Sequence, residues 1–271
     1  MSLIYCRAEP VMNPFEVPEL GVHLHSSQEL CYVIYENPLL VMDDFVDNRL
    51  IQFIRDDLNM EVLADRLESS KRSGESSDNM LLMILSHCQY YQASEVSKYR
   101  QVLIQMRKKH PAEYKKAKAD YLFERKQYGR AVPIYEKLLE QEKDSVVNDR
   151  FFCRVWCCLG ACHARLFQFD KACRDYDKAY SCDNHNEEIL EKLYFLKFLS
   201  PQLALDPRYQ VILSGVDQKG WERKILDARA KGRESSQVKE LDQLFLKDPV
   251  KRLSGAAEIV KKWKQDYRGM L

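Results

Sequence analysis

The chain has 271 residues, of which 31% are charged and 45% hydrophobic by the wider count, with nine Gly, nine Pro and a formal net charge of +1. That length suits one extended helical array or two modest domains, and the scarcity of Gly and Pro favours long helices with wet outer faces. No run approaches the roughly 18 consecutive apolar residues a membrane span needs, and the amino terminus lacks a basic segment followed by an apolar core. A cytoplasmic protein is expected, with no membrane insertion.

The near-zero net charge hides a gradient. Residues 1–110 carry eleven Lys and Arg against sixteen Asp and Glu, residues 111–216 seventeen against sixteen, and residues 217–271 fourteen against nine. Ends of opposite sign can attract within one molecule or between two copies, although solvated helix faces alone produce such a pattern.

The first 25 residues read as an extended arm interrupted by Pro10, Pro14 and Pro18, with strand-like character from Val17 to Leu24. Ser26 and Glu29 form a capping-box pattern that starts a helix through Leu30, Val33 and Ile34. The spacing of His23 and His25 suits a metal, but no third ligand stands near them. From Asp43 to Ser70 the period is helical, carried by Phe45, Leu50, Ile51, Phe53, Ile54 and Leu58, then by Val62, Leu63 and Leu67 after a cap at Asn59. Ser69 to Asp78 reads as a loop. Helix resumes at Met80 to Leu85, and again after Ser94 with Val96, Tyr99, Val102, Leu103 and Met106. The expectation is a small helical bundle over residues 1–110.

Lys and Arg crowd between Arg107 and Lys118, but Glu113, Asp120 and Glu124 dilute their field and no DNA-binding motif accompanies them, so a solvated helix junction is expected and no nucleic-acid partner. Asp43, Asp44 and Asp47 are expected to face water. Residues 201–271 form a carboxy-terminal helical hairpin: a long charged helix carrying Trp221, Ile225, Leu226, Val238, Leu241, Leu244 and Phe245, then a near-heptad course through Val250, Leu253, Ala257, Val260, Trp263 and Tyr267 after the cap and first-turn pair Asp248 and Pro249. That hairpin either covers the preceding helices or, over residues 217–271, mediates docking or homo-oligomerisation.

The densest pattern lies between. Trp156, Leu159, Gly160, His163, Phe169, Ala172, Tyr176 and Ala179 stand at the offsets of two short packed helices. Gly160 and Ala172 lack bulk where two backbones approach, and Trp156, Phe169 and Tyr176 fill the space around that crossing. Upstream, Gln127 to Tyr135 aligns with Gln168 to Tyr176, so that Tyr128, Ala131 and Tyr135 repeat Phe169, Ala172 and Tyr176. The interval is 41 residues, the extra length being absorbed in the polar loop Lys143 to Asn148. Lys115, Lys118 and Ala119 stand where the later unit has Trp156, Leu159 and Gly160. Another apolar helix begins at Asn186 and stops at Pro201.

These residues resemble the tetratricopeptide repeat. Over residues 111–200 the resemblance implies an α-solenoid of tetratricopeptide-like hairpins with a capping helix, hence an all-α fold. It implies a non-catalytic adaptor that binds a protein or peptide segment in a groove lined by the second, fifth, ninth, twelfth and thirteenth residues of each first helix. Counted from Cys153 these are Arg154, Cys157, Ala161, Ala164 and Arg165. Counted from Ala112 they are Glu113, Lys116, Asp120, Phe123 and Glu124. Two guanidiniums flanking small alanines suit a carboxylate. Lys116 faces Asp120 rather than the Asn that carboxylate-gripping repeats pair with their Lys. Two alternatives stay open: a peptide-sensing regulator and a structural subunit of a larger assembly.

Of the nine cysteines, five crowd between Cys153 and Cys173, an odd total that suits a reducing compartment. Pairs of them, with His163, Cys182 or His185, have zinc-compatible types, but they interleave with packing positions and read as small buried hydrophobes. No metal, cofactor or catalytic residue is expected, since no phosphate loop, nucleophile elbow, metalloprotease helix or kinase signature is present.

Overall fold

A computed structural model describes residues 11–183, 186–246 and 248–271. Fifteen helices and one two-stranded ribbon account for the regular structure of those residues, so the fold is all-α in class. They divide into two compact units, one ending at Tyr121 and one beginning at Leu122. No helix among the described residues is long and apolar enough to cross a membrane.

The first unit opens differently from the expected arm. Strands β1 (Phe15–Val17) and β2 (Val22–Leu24) pair antiparallel with Glu16 opposite His23. Gly21 takes the left-handed conformation (φ +63°) that the tight turn between them requires. Val17 and Leu24 are buried, and Phe15 packs against the rings of Phe45 and Phe53, which gives the hairpin an apolar face to sit on.

Seven helices follow: α1 (Ser27–Glu36), α2 (Pro38–Val41), α3 (Asn48–Asp56), α4 (Glu61–Arg72), α5 (Ser77–Cys88), α6 (Ala93–Arg107) and α7 (Pro111–Glu124), the last spanning the division. Ser26 Oγ accepts the Glu29 amide at 3.1 Å, while the Glu29 carboxylate reaches back one residue further than a capping box requires, to the His25 amide. The loop expected over residues 69–78 shrinks to Ser73–Ser76, because α4 gains a last turn. Lys71 and Arg72 there suit the negative helix end, Arg72 meets Glu68 one turn back, and Lys71 donates to Asn48 at 2.8 Å. The core is built from Leu30, Ile34, Leu50, Ile54, Leu63 and Leu81, none of them measurably exposed.

Asp44 faces water as expected, but Asp43 is engaged by the basic segment. Arg107 donates to both carboxylate oxygens of Asp78 (2.8 and 3.1 Å), to Asp43 (3.3 Å) and to the Met42 carbonyl (2.8 Å). Tyr114 Oη donates to Asp43 at 3.1 Å and Lys118 lies 3.4 Å from it, while Asp47 caps α3 through the Leu50 amide. A planar guanidinium holds its five donors in a wide fork that reaches all three acceptors, which draws α6 to the loop after α2.

In the second unit, α8 (Tyr128–Leu139), α9 (Asp149–Arg165), α10 (Phe169–Cys182) and α11 (Glu187–Leu199) are followed by α12 (Pro207–Ser214), α13 (Lys219–Arg233), α14 (Ser236–Phe245) and α15 (Pro249–Met270). The 41-residue interval of the sequence returns in the backbone. Lys126 and Phe167 both take left-handed φ (61° and 59°), each ending a helix with the same pair of bonds. Lys126 and Gln127 donate to Phe123 and Leu122; Phe167 and Gln168 donate to Ala164 and His163. Beyond each turn the small and aromatic positions are buried alike, Ala131 and Tyr135 in one copy, Ala172 and Tyr176 in the other.

The insertion between the copies is no loose loop. Asp144 accepts the amides of Val146 and Val147 at 2.7 and 2.6 Å, turning the buried Val147 inward. After α11 the expected two-helix arrangement needs correction. Residues 203–221 add Leu203, Tyr209, Leu213 and Trp221 to the core that α10 and α11 share, with Asp206 capping α12 and Pro207 at its first position. The long charged helix is interrupted at Ser235, whose hydroxyl accepts the Val238 amide and starts α14.

Candidate functional site

Helix α9 positions the second copy's candidate residues. Asn148 caps it, its side chain accepting the Phe151 amide at 3.0 Å, and its apolar residues face in three directions. Val155, Cys162 and Leu166 share one side and are buried. On another side Gly160 lies flat against Tyr176, since a methyl group at that Cα would stand 2.9 Å from the Tyr176 ring. With the ring 4% exposed and Ala172 fully buried, α9 and α10 nest backbone to side chain where the sequence placed its small residues.

The groove positions separate into two kinds. Arg154 and Arg165 are exposed and Ala161 is half-buried between them. At 100° per residue, positions 154, 161 and 165 fall in one narrow stripe along the helix. Cys157 and Ala164 lie to the side of that stripe and pack against the core made by α10 and α11. Burial pushes the Cys157 thiol up to about 12, against the pull of Lys192, so it stays protonated and apolar in behaviour. Burial likewise raises Cys153, Cys173 and Cys182.

The Arg154 guanidinium lies over the Phe151 ring at 5.9 Å, a cation–π contact on an otherwise exposed residue. Arg165 has no ion pair among the described residues. Two exposed guanidiniums separated by three helical turns, with Ala161 between them, form a shallow basic track.

In the earlier copy, Phe123 meets the Tyr128 ring edge-on at 5.1 Å. Within the first unit, Lys116 Nζ lies 2.8 and 3.0 Å from the two carboxylate oxygens of Asp120, so the cation is engaged by its own helix. None of the eight cysteines among the described residues is in a disulfide, and no three His, Cys, Asp or Glu side chains among those residues converge as metal ligands. His185 lies outside the described residues.

The sequence reading missed one constellation. His163, placed there as a packing residue, sits 2.6 Å from Asp175 across the α9 and α10 interface, and both are buried. The signal was present: two polar residues twelve apart, each on the apolar side of its helix. Compared with family models, with curated proteins and with solved structures, the chain matches none.

Proposed function

We propose that the chain is a non-catalytic, cytoplasmic interaction protein of the tetratricopeptide kind, which holds a partner's polypeptide segment along the outer stripe of α9. The observation that carries this reading is that Arg154 and Arg165 stand exposed on one stripe of α9 with the half-buried Ala161 between them, while Cys157 and Ala164 beside that stripe pack against the core. Such a stripe is rigid because Gly160 and Tyr176 fix the helix behind it, and a rigid surface loses little entropy on binding. Its two guanidiniums select an acidic segment. Affinity purification of the full chain beside the Arg154→Glu, Arg165→Glu variant tests it: the reading expects captured proteins to be lost from the variant, and an unchanged set overturns it.

A second reading has its own observation. Phe245, Leu246, Val250 and Leu253, exposed by 60 to 87%, gather at the turn between α14 and α15, and a patch of that kind is a surface waiting for cover. On this reading residues 217–271 join copies of the chain or a larger assembly. Light scattering of the full chain and of Leu246→Lys with Leu253→Glu separates the cases, since an assembly held there falls to monomers in the variant.

A further inference from the structure

The back of α9 carries a cleft of about 510 Å³, on the side opposite the Arg154 stripe. Its floor is Trp156, Leu159 and His163. The side chains of His163 and Asp175 are 6% and 10% exposed and 2.6 Å apart. A carboxylate oxygen accepts at Nδ1, so in the neutral ring the proton sits on Nδ1 and Nε2 is the position left open. Nε2 has no partner among the described residues, yet it is not sealed in, because the one sealed and unpaired side-chain polar atom among them is the Tyr99 hydroxyl. The cleft that the ring lines is its opening. Burying this hydrogen-bonded pair while leaving one ring nitrogen without a protein partner is costly unless that nitrogen meets something that enters the cleft.

The two walls differ in sign. Glu136 and Glu140, one turn apart, project from α8, and Lys171, Arg174 and Lys178, spaced by three and four residues, project from α10. Lys178 lies 4.2 Å over the Trp156 ring. No ion pair engages Glu136, Glu140, Lys171 or Arg174 among the described residues.

We propose that this cleft is a second recognition site, for a polypeptide segment bearing one acidic and one basic side chain a few residues apart. The acid lies against Lys171 and Arg174, the base against Glu136 and Glu140, and a backbone N–H donates to His163 Nε2. Charge complementarity selects this occupant. A bare anion such as phosphate meets only one wall and is repelled by the other, whereas a dipolar segment satisfies both and covers the apolar floor with its backbone. The site stands apart from the Arg154 stripe and does not depend on it.

The test uses a display library of random twelve-residue peptides panned on the full chain. Selected peptides are expected to share an acidic and a basic residue at fixed spacing. They are expected to bind about tenfold more weakly to Lys171→Glu with Arg174→Glu, and equally so to Glu136→Lys with Glu140→Lys, since several partly exposed pairs turn repulsive together. All four positions are exposed, so both variants keep the wild-type melting temperature. The fourfold variant exchanges the walls and regains binding for peptides with the order of charges inverted. Arg154→Glu with Arg165→Glu leaves the selected peptides bound. The proposal is overturned if no peptide is selected, if those selected are merely acidic and are displaced by inorganic phosphate, if reversing a wall leaves their affinity unchanged, or if the Arg154 variant loses them.

Discussion

Gly160 and Tyr176 share one volume: the ring of Tyr176 occupies the space where any other residue at 160 would begin its side chain. Gly160→Ala therefore sets two effects against each other. Alanine in a helix gains about 1 kcal/mol over glycine, while forcing a methyl group into a packed site costs roughly 1–3 kcal/mol. The ring has nowhere to go at 4% exposure, so the clash wins, and urea denaturation should show a net loss of about 1 kcal/mol. Gly232→Ala in α13 meets nothing within 4 Å and should be neutral or slightly stabilising, which separates crowding from helix propensity.

Tyr99 is 2% exposed and its hydroxyl has no partner among the described residues. Tyr99→Phe removes an unsatisfied group and keeps the ring stacked on Tyr35, so stability should hold or rise by up to about 1 kcal/mol. Tyr114→Phe, which gives up a bond to Asp43, should lose about 1 kcal/mol. Burial raises the phenols of both residues above the usual tyrosine range. The unfolded phenol ionises near about 10, the folded one at higher pH, so this stability is complete below pH 10 and is lost as pH rises beyond it. Denaturation followed above pH 10 should fall less steeply in Tyr99→Phe than in the wild type.

Arg107 joins α6 to both Asp43 and Asp78. Replacing it by Met takes the cation from Asp78, leaves Asp43 to Lys118, and deprives the Met42 carbonyl of its donor. Because the side chain is 45% exposed, water recovers part of that loss, and a destabilisation of about 1–2 kcal/mol is expected. Arg107→Lys should restore less than half, since an ammonium cannot span the three acceptors. Thermal melts at low and high salt measure both.

Much of the architecture was legible before the structure. The 41-residue interval, the nesting of Gly160 near Ala172 and Tyr176, the caps at Ser26 and Asp248, and the helical character of nearly every segment follow from local pattern, because caps and apolar period act over a few residues. Three features did not follow. The ribbon of residues 15–24 depends on Phe45 and Phe53 being brought beneath Phe15. The turn added to α4 depends on Asn48 meeting Lys71, and the pairing of Arg107 with Asp43 joins residues 64 apart. Long-range partners of this kind leave no periodic trace. The break at Ser235 was readable, since Ser235 and Ser236 interrupt the helix with a capping residue, and the continuing apolar period obscured it. At the candidate site, Arg154, Ala161 and Arg165 were singled out by the resemblance to the tetratricopeptide repeat. Whether Cys157 and Ala164 joined them or packed beside them depended on where α11 would lie.

Gly129 on α8 lies against Leu271, and a side chain at 129 would overlap the Leu271 backbone. Tyr267 Oη donates to the Leu166 carbonyl at 3.3 Å nearby, so α15 is held to α8 and α9 at its last turn. Gly129→Leu should release that turn, raising proteolytic cleavage after Arg268 several-fold while α9 and α10 stay protected. Equal cleavage in both proteins would mean the contact contributes nothing.

Hydrogen exchange on the full chain, alone and with a partner recovered by affinity purification, tests the binding surface most directly. The proposed stripe predicts slowed exchange across residues 154–165 when partner is added, absent from Arg154→Glu with Arg165→Glu. Protection confined to the first unit or to residues 217–271, with α9 unchanged, would contradict it.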